Sequence, residues 1–230
     1  MVSQAVQCTT NPATPRLVGR AVFLISGGID SPVAASMLIR KGIQPIFAYF
    51  DNYPLCDQAA KEIALDTIRQ VCAFHGLKGA KVYTIPHSPD LQEISNKCPE
   101  KFACILSRRQ MFRIAEAIGL HEDCDAIVTG DAIGQKASQT LQNITATDCV
   151  LQKLIVLRPL VGMNKLQIER YAKQIETYPI SIRPGVSTCG VPTRNPSTNA
   201  RTQKLDEIET SLNIPMMVNK AFESAQIMTL

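Results

Sequence analysis

The stretch FLISGGIDSPVAASMLIRKG (23–42) limits the architecture more than any other part of the chain. It opens inside AVFLI (21–25), a short apolar, β-branched-rich run that reads as a strand. The strand stops at Ser26-Gly27-Gly28, Ser31 is placed as an N-cap, and Pro32 suits the first position of a helix reaching Lys41. A strand that turns through glycines straight into a helix is the start of a crossover connection, and crossovers between parallel strands are right-handed. The alternation then continues. QPIFAYF (44–50) and KVYTI (81–85) read as strands, separated by a helical pattern over 57–75 that carries Ala60, Ile63, Ala64, Ile68 and Val71 on one face and closes at Gly76. A helix over 105–118, with Gly119 as its stop, precedes two further strands, DAIVTG (125–130) and KLIVLRPL (153–160), and a helix over 164–176 follows. The expected fold is α/β: a doubly wound, mostly parallel sheet with helices on both faces.

The expected organisation is a polar tail at 1–19, a single domain over 20–205, and a helix and tail over 206–230, with the Pro-, Gly-, Ser- and Thr-rich stretch 179–201 as a long loop or linker before the last helix (about 203–212). Apolar content of 45% and charge of 19% are those of an ordinary globule that can bury a core without staples. The net charge of +4 tolerates an anionic partner without by itself indicating nucleic acid. No apolar stretch approaches the roughly 20 residues that span a bilayer, and residues 1–20 carry Arg16 and Arg20 but no apolar signal core. Eight cysteines scattered through a chain of this size read as reduced thiols in a cytoplasmic protein.

In an open parallel sheet ligands sit beyond the carboxyl ends of the strands, which is where Ser26-Gly27-Gly28 falls. Glycines let backbone N–H groups approach an anion, and the helix N-terminus points at the same place, so the elbow is built for phosphate. A Walker A loop would need a lysine after the glycines, and a dinucleotide fingerprint would need GxGxxG; neither is present, although Asp51 stands where a ribose-binding acid would. SGGIDS (26–31) instead matches SGGxDS, the PP-loop of enzymes that split ATP into AMP and pyrophosphate, at every fixed position.

Four later blocks extend that match: CILSRRQMFRIAEAIG (104–119), IVTGDAIGQKASQTLQNI (127–144), LRPLVGMNKLQI (157–168) and TCGVPTRNPST (188–198). Together with the loop they resemble tRNA 4-thiouridine synthetases of the ThiI type from about residue 20 to about 205. The resemblance implies the PP-loop, adenine-nucleotide-hydrolase-like version of the fold. It also implies ATP-dependent thiolation of a tRNA uridine: O4 is adenylated with release of pyrophosphate, then sulfur replaces it and AMP leaves. Carried over by position, Ser26, Gly27, Gly28, Asp30 and Ser31 would hold the pyrophosphate end of ATP with Mg²⁺, and Leu24, Ile25, Tyr49 and Phe50 would frame the adenosine. Arg108 stands where the family usually has a lysine facing the nucleotide, and Gly130 and Gln139 fall on nucleotide positions. Lys165 falls on the lysine required for adenylation. Its place just after the N-cap candidate Asn164 supports that role, because a cation there opposes the helix dipole unless it faces a phosphate. Cys189 falls on the cysteine that receives or resolves a persulfide.

Several features depart from the usual member. Nineteen residues of tail cannot hold the ferredoxin-like and THUMP modules that ordinarily precede this domain, and no rhodanese module follows it. The expectation is therefore a domain that meets tRNA through a separate THUMP-bearing chain and takes sulfur from a separate donor, with a homodimer also admitted. Members with a 4Fe-4S cluster carry CxxC, whereas here Cys104 is followed by Ser107 at the second position. Cys98, Cys104 and Cys189 are the one trio available for such a cluster; without a cluster, Cys189 would carry a persulfide or pair transiently with Cys104. Cys56, Cys72, Cys124 and Cys149 read as structural, and His75, His87 and His121 show no metal-ligand spacing. Two other readings remain: a PP-loop enzyme acting on a different carbonyl or tRNA position, and a non-catalytic ATP-binding partner of a full-length synthetase.

Overall fold

The computed structural model describes residues 17–184 and 195–230. Strands β1 (Gly19–Leu24), β2 (Ile43–Asp51), β3 (Lys81–Pro86), β4 (Ala126–Val128), β5 (Ile155–Leu157) and β6 (Gln226–Thr229) form one sheet in the order β5-β4-β1-β2-β3-β6. The first five run parallel and β6 pairs antiparallel with β3. Central strands covered on both faces need no polar alternation, which is why β1 and β2 read as nearly continuous apolar runs.

Successive β1 side chains serve opposite faces. Ala21, Phe23 and Ile25 pack with Val33 and Ala34 of α1 (Asp30–Ile39), Ile68 of α2 (Ala59–His75) and Ile168 of α6 (Lys165–Gln174). Val22 packs instead with Ile114 and Ile118 of α4 (Ala103–His121) and Ala221 of α9 (Ile214–Glu223). A third apolar cluster lies beyond α4, where Leu91 and Ile94 of α3 (Ser88–Lys97) meet Ile105, Ala146 of α5 (Leu141–Asp148), Leu205 of α8 (Thr202–Glu209) and Met217. A one-turn helix, α7 (Tyr178–Ser181), completes the α-helices among the described residues, beside 3₁₀ turns at Glu100–Phe102 and Ala137–Gln139.

Several local expectations change. Gly76 closes α2 in the left-handed conformation (φ 63°), as its position suggested. Gly119, read as a stop, lies inside α4, and a Cβ there would stand 2.5 Å from Leu154 Cδ1 and 3.2 Å from Val22 Cγ2. Its role is to let the helix press onto β1 and the approach to β5. Helix α1 begins at Asp30, so Ser31 is not the N-cap but a helical residue whose hydroxyl ties the preceding loop. Asn164 does cap α6, in a full capping box with Gln167. In the C-terminal stretch read as one helix and a tail, α8, α9 and the edge strand β6 stand instead, and Leu230 accepts from the N–H groups of Gly79 and Ala80.

Candidate functional site

The chain runs from β1 to β3 on one side of the sheet and returns to place β4 on the other side of β1. The loops after β1 and β4 therefore diverge, and a crevice opens between them at the carboxyl ends of the strands. It holds a cavity of about 580 Å³.

The β1 loop is braced by its own serines. Ser31 Oγ accepts from the N–H of Ser26 (2.9 Å) and lies 3.2 Å from the Ser26 carbonyl, to which it donates, while Ser26 Oγ accepts from the Gly28 N–H (3.3 Å). From the other side comes Gly130. A Cβ there would fall 2.6 Å from Ser31 N and 2.8 Å from both Asp30 C and Ser31 Cα, so the two loops touch backbone to backbone. Across the mouth, Lys165 Nζ donates to Asp30 Oδ1 at 2.9 Å. The capped N-terminus of α6 thus presents its cation to the acid that opens α1.

The far wall is α4. Arg108 donates to Asp131 Oδ2 (2.6 Å) and lies over the Phe112 ring. Asp131 is buried, and it also accepts from Thr129 Oγ1 (2.9 Å), Gln139 Nε2 (3.3 Å) and Arg158 Nε (3.3 Å). Burial by itself would raise its carboxyl, but Arg108, Thr129 and Arg158 outweigh that and hold it below the usual range. Asp131 is therefore an ionised anchor that fixes Arg108 against the cavity. Tyr49 is shifted the opposite way: burial first, then the nearby Asp51 carboxylate, push its phenol well up, so it remains a donor at neutral pH.

Every nucleotide-site residue expected from the sequence lines this cavity: Leu24, Ile25, Ser26, Gly27, Gly28, Asp30 and Ser31 on the β1 side, Tyr49 and Phe50 after β2, and Arg108, Gly130 and Gln139 opposite. Lys165 borders an adjoining open hollow that shares Asp30 and Lys136 with the cavity. Cys104 lines the cavity, whereas Cys98 does not: it is buried in the third apolar cluster with its Sγ 4.0 Å from Ser211 Oγ, and burial raises its thiol. Cys189 lies outside the described residues. Of the trio Cys98, Cys104 and Cys189, the described pair is divided between core and cavity, and among the described residues no group of three or more His, Cys, Asp and Glu could hold a metal ion. A cluster on that trio does not fit Cys98, and no step is assigned to one.

Other lining residues escaped the sequence reading. Cys56, which the sequence presents as structural, faces the cavity, as do Asn52, His87, Ser107, Asp131 and Lys136. Asp131 and Lys136 were detectable, since they flank a glycine-bearing loop directly after a strand. His87 and Ser107 were not, because they meet across two elements.

A doubly wound α/β sheet with an SGGxDS loop at its switch point defines a protein of the PP-loop class. Residues 17–214 match the family model described as "Thiamine biosynthesis protein (ThiI)", and the chain belongs to the ThiI family. It is 38% identical over 210 residues to a protein of Alkaliphilus oremlandii named "Probable tRNA sulfurtransferase", covering 91% of this chain and 53% of the relative. A protein of the same name from Methanosarcina mazei is 37% identical, with 92% of this chain and 52% of the relative covered. The chain thus spans about half the length of the curated relatives it matches. Among solved structures it is similar to a 4-thiouridine synthetase–RNA complex with bound ATP (TM-score 0.87, 34% identity, 92% of this chain and 55% of that one). The NMN synthetase of Francisella tularensis shares the fold (TM-score 0.54, 16% identity, 94% of this chain and 87% of that one).

Proposed function

We propose that this domain carries out ATP-dependent thiolation of a tRNA uridine, adenylating O4 with release of pyrophosphate and then exchanging oxygen for sulfur with release of AMP. The observation that carries the reading is the Lys165–Asp30 pair, 2.9 Å long, across the mouth of the SGGxDS cavity. A cation at a helix N-terminus is held at electrostatic cost unless it has an anion to serve. Here it stands beside the loop built for phosphates, in a fold similar to a 4-thiouridine synthetase with bound ATP and RNA.

In this reading Ser26, Gly27, Gly28 and Ser31 cradle the pyrophosphate end through backbone N–H groups and hydroxyls. Asp30 is the carboxylate that would hold Mg²⁺, which would draw charge from the phosphates, and Lys165 would then turn to the charge that builds up on the transferring phosphorus. Leu24, Ile25, Tyr49 and Phe50 enclose the adenosine, with Arg108, Gly130 and Gln139 closing the opposite wall. Cys189 is the residue proposed to bring sulfur. The working domain is residues 20–205, acting in the cytoplasm, where its ATP and tRNA are. A THUMP-bearing chain and a sulfur donor are its proposed partners.

The test is product analysis with ATP and unmodified tRNA. AMP and pyrophosphate are expected, and ADP with phosphate would overturn the reading. Asp30→Asn and Lys165→Ala should each abolish pyrophosphate release while leaving the melting temperature nearly unchanged, because a half-exposed ion pair contributes no more than about 1 kcal/mol.

A further inference from the structure

A line of buried polar groups runs behind the cavity wall, outside every residue assigned a role so far. His87, 1% exposed at the carboxyl end of β3, holds its Nε2 3.0 Å from Ser107 Oγ, and both residues line the cavity. On the other side of the ring, Nδ1 lies 3.3 Å from Asp90 Oδ2, within ion-pair reach but without hydrogen-bond geometry, and Gln110 Nε2 donates to that same oxygen at 3.3 Å. Phe50, on the adenosine side, meets the ring edge-on at 5.3 Å. The order is carboxylate, imidazole, hydroxyl, cavity: the sequence of groups that moves a proton from a buried site toward a carboxylate-backed ring.

Adenylation of a uridine needs such a route. O4 of the lactam becomes a competent nucleophile only as the N3–H proton leaves. As O4 bonds to the α-phosphorus, the bond from phosphorus to pyrophosphate breaks, C4–N3 becomes a double bond, and one proton must go elsewhere. The carboxylates, the phenol and the cations of the described lining are poorly suited to take it. Asp30 is the carboxylate given to Mg²⁺ in the reading above, Asp131 is held ionised by its donors and below the usual carboxylate range, and Tyr49 is held protonated. Arg108 and Lys136 are cations. His87 is the one imidazole of the described lining.

Resting on the adenylation reading above, we propose that His87, acting through Ser107, is the general base for uridine N3. Ser107 Oγ takes the N3 proton while passing its own to His87 Nε2, and the imidazolium so formed sits beside Asp90. Ser107 touches the substrate, and Asp90 and Gln110 are positioning residues.

The test uses His87→Gln and Ser107→Ala in the full chain, with two tRNA transcripts: one ordinary, and one with 5-fluorouridine, whose N3–H is more acidic. Single-turnover pyrophosphate release and ATP affinity are measured for each. A positioned base contributes about 10²- to 10⁴-fold. The expected result is a loss of roughly that size on the ordinary transcript, unchanged ATP affinity, and a much smaller loss on the fluorinated one. Ser107→Ala removes one small hydroxyl, so it keeps the test open if His87→Gln does not fold. Normal rates in both variants, or equal losses on both transcripts, would overturn the relay. A wild-type chain that releases no pyrophosphate with either transcript would overturn the adenylation reading, and the relay with it.

Discussion

Gly130 is the residue on which the geometry of the cavity turns. Many glycines are needed for a left-handed φ, but this one is needed because the backbone of Asp30 and Ser31 occupies the place of its side chain, at 2.6–2.8 Å. Backbone cannot rotate aside as a flexible side chain can. Gly130→Ala should therefore cost about 1–3 kcal/mol, the range for overpacking a tight site. It should also push the β1 and β4 loops apart and weaken ATP binding, which denaturant titration and calorimetry would measure together. Gly27 is less constrained: a Cβ there would meet Ile63 Cγ2 at 3.0 Å, a methyl that can yield slightly.

At the scale of elements, β5 is a three-residue strand at the sheet edge, and Glu116 of α4 determines where it lies. The carboxylate accepts from the N–H groups of Gln152, Lys153 and Leu154 at 2.8–3.2 Å, so a helix side chain stands in for a neighbouring strand. Glu116→Ala should lower stability by about 2 kcal/mol, since the buried Leu154 N–H loses a charged acceptor while the exposed Gln152 and Lys153 can turn to water. Hydrogen exchange should quicken over 152–157 and stay slow in β1. This kind of anchor has no sequence signal, because its partners are about 36 residues apart. The strands and long helices were legible because burial on both sheet faces writes apolar runs and helical spacing into the chain. Helix α3 is absent from the expected elements, although Ser88-Pro89-Asp90 with Leu91 and Ile94 carry a start signal and a face. Of the lining after the strands, the SGGIDS loop and Gly130 were legible, whereas Asn52 and His87, which belong to no motif, were not. The His87–Ser107 contact was not, since helix spacing says nothing about which strand end a helix faces, and Cys98 was misplaced for the same reason.

For the whole molecule, the amino end of the sheet is held by charge. Glu122, just past α4, accepts from Tyr83 Oη (2.6 Å) and Lys81 Nζ (2.9 Å) and pairs with Arg20, joining β1, β3 and α4. Burial would raise the Glu122 carboxyl, but Tyr83, Lys81 and Arg20 together hold it below its ordinary range. A depressed native pKa stabilises above the unfolded value of about 4.3 and stops doing so as pH falls through the lower native value. Wild type should therefore be more stable than Glu122→Gln at pH 7, with the two curves converging as the pH falls below that unfolded value, in acid unfolding followed by circular dichroism. That same end of the sheet is where the described chain enters and leaves. Val18 bonds to Gly42 beside the start of β2, and antiparallel β6 brings Leu230 back to Ala80 beside the start of β3. The two points are three strand spacings apart, about 14 Å. The cavity opens at the opposite end, beyond β1, which at six residues is about 20 Å long. Both points thus lie a strand's length behind the mouth of the cavity. A tethered module that had to present a substrate would need a leash long enough to round the edge of the sheet.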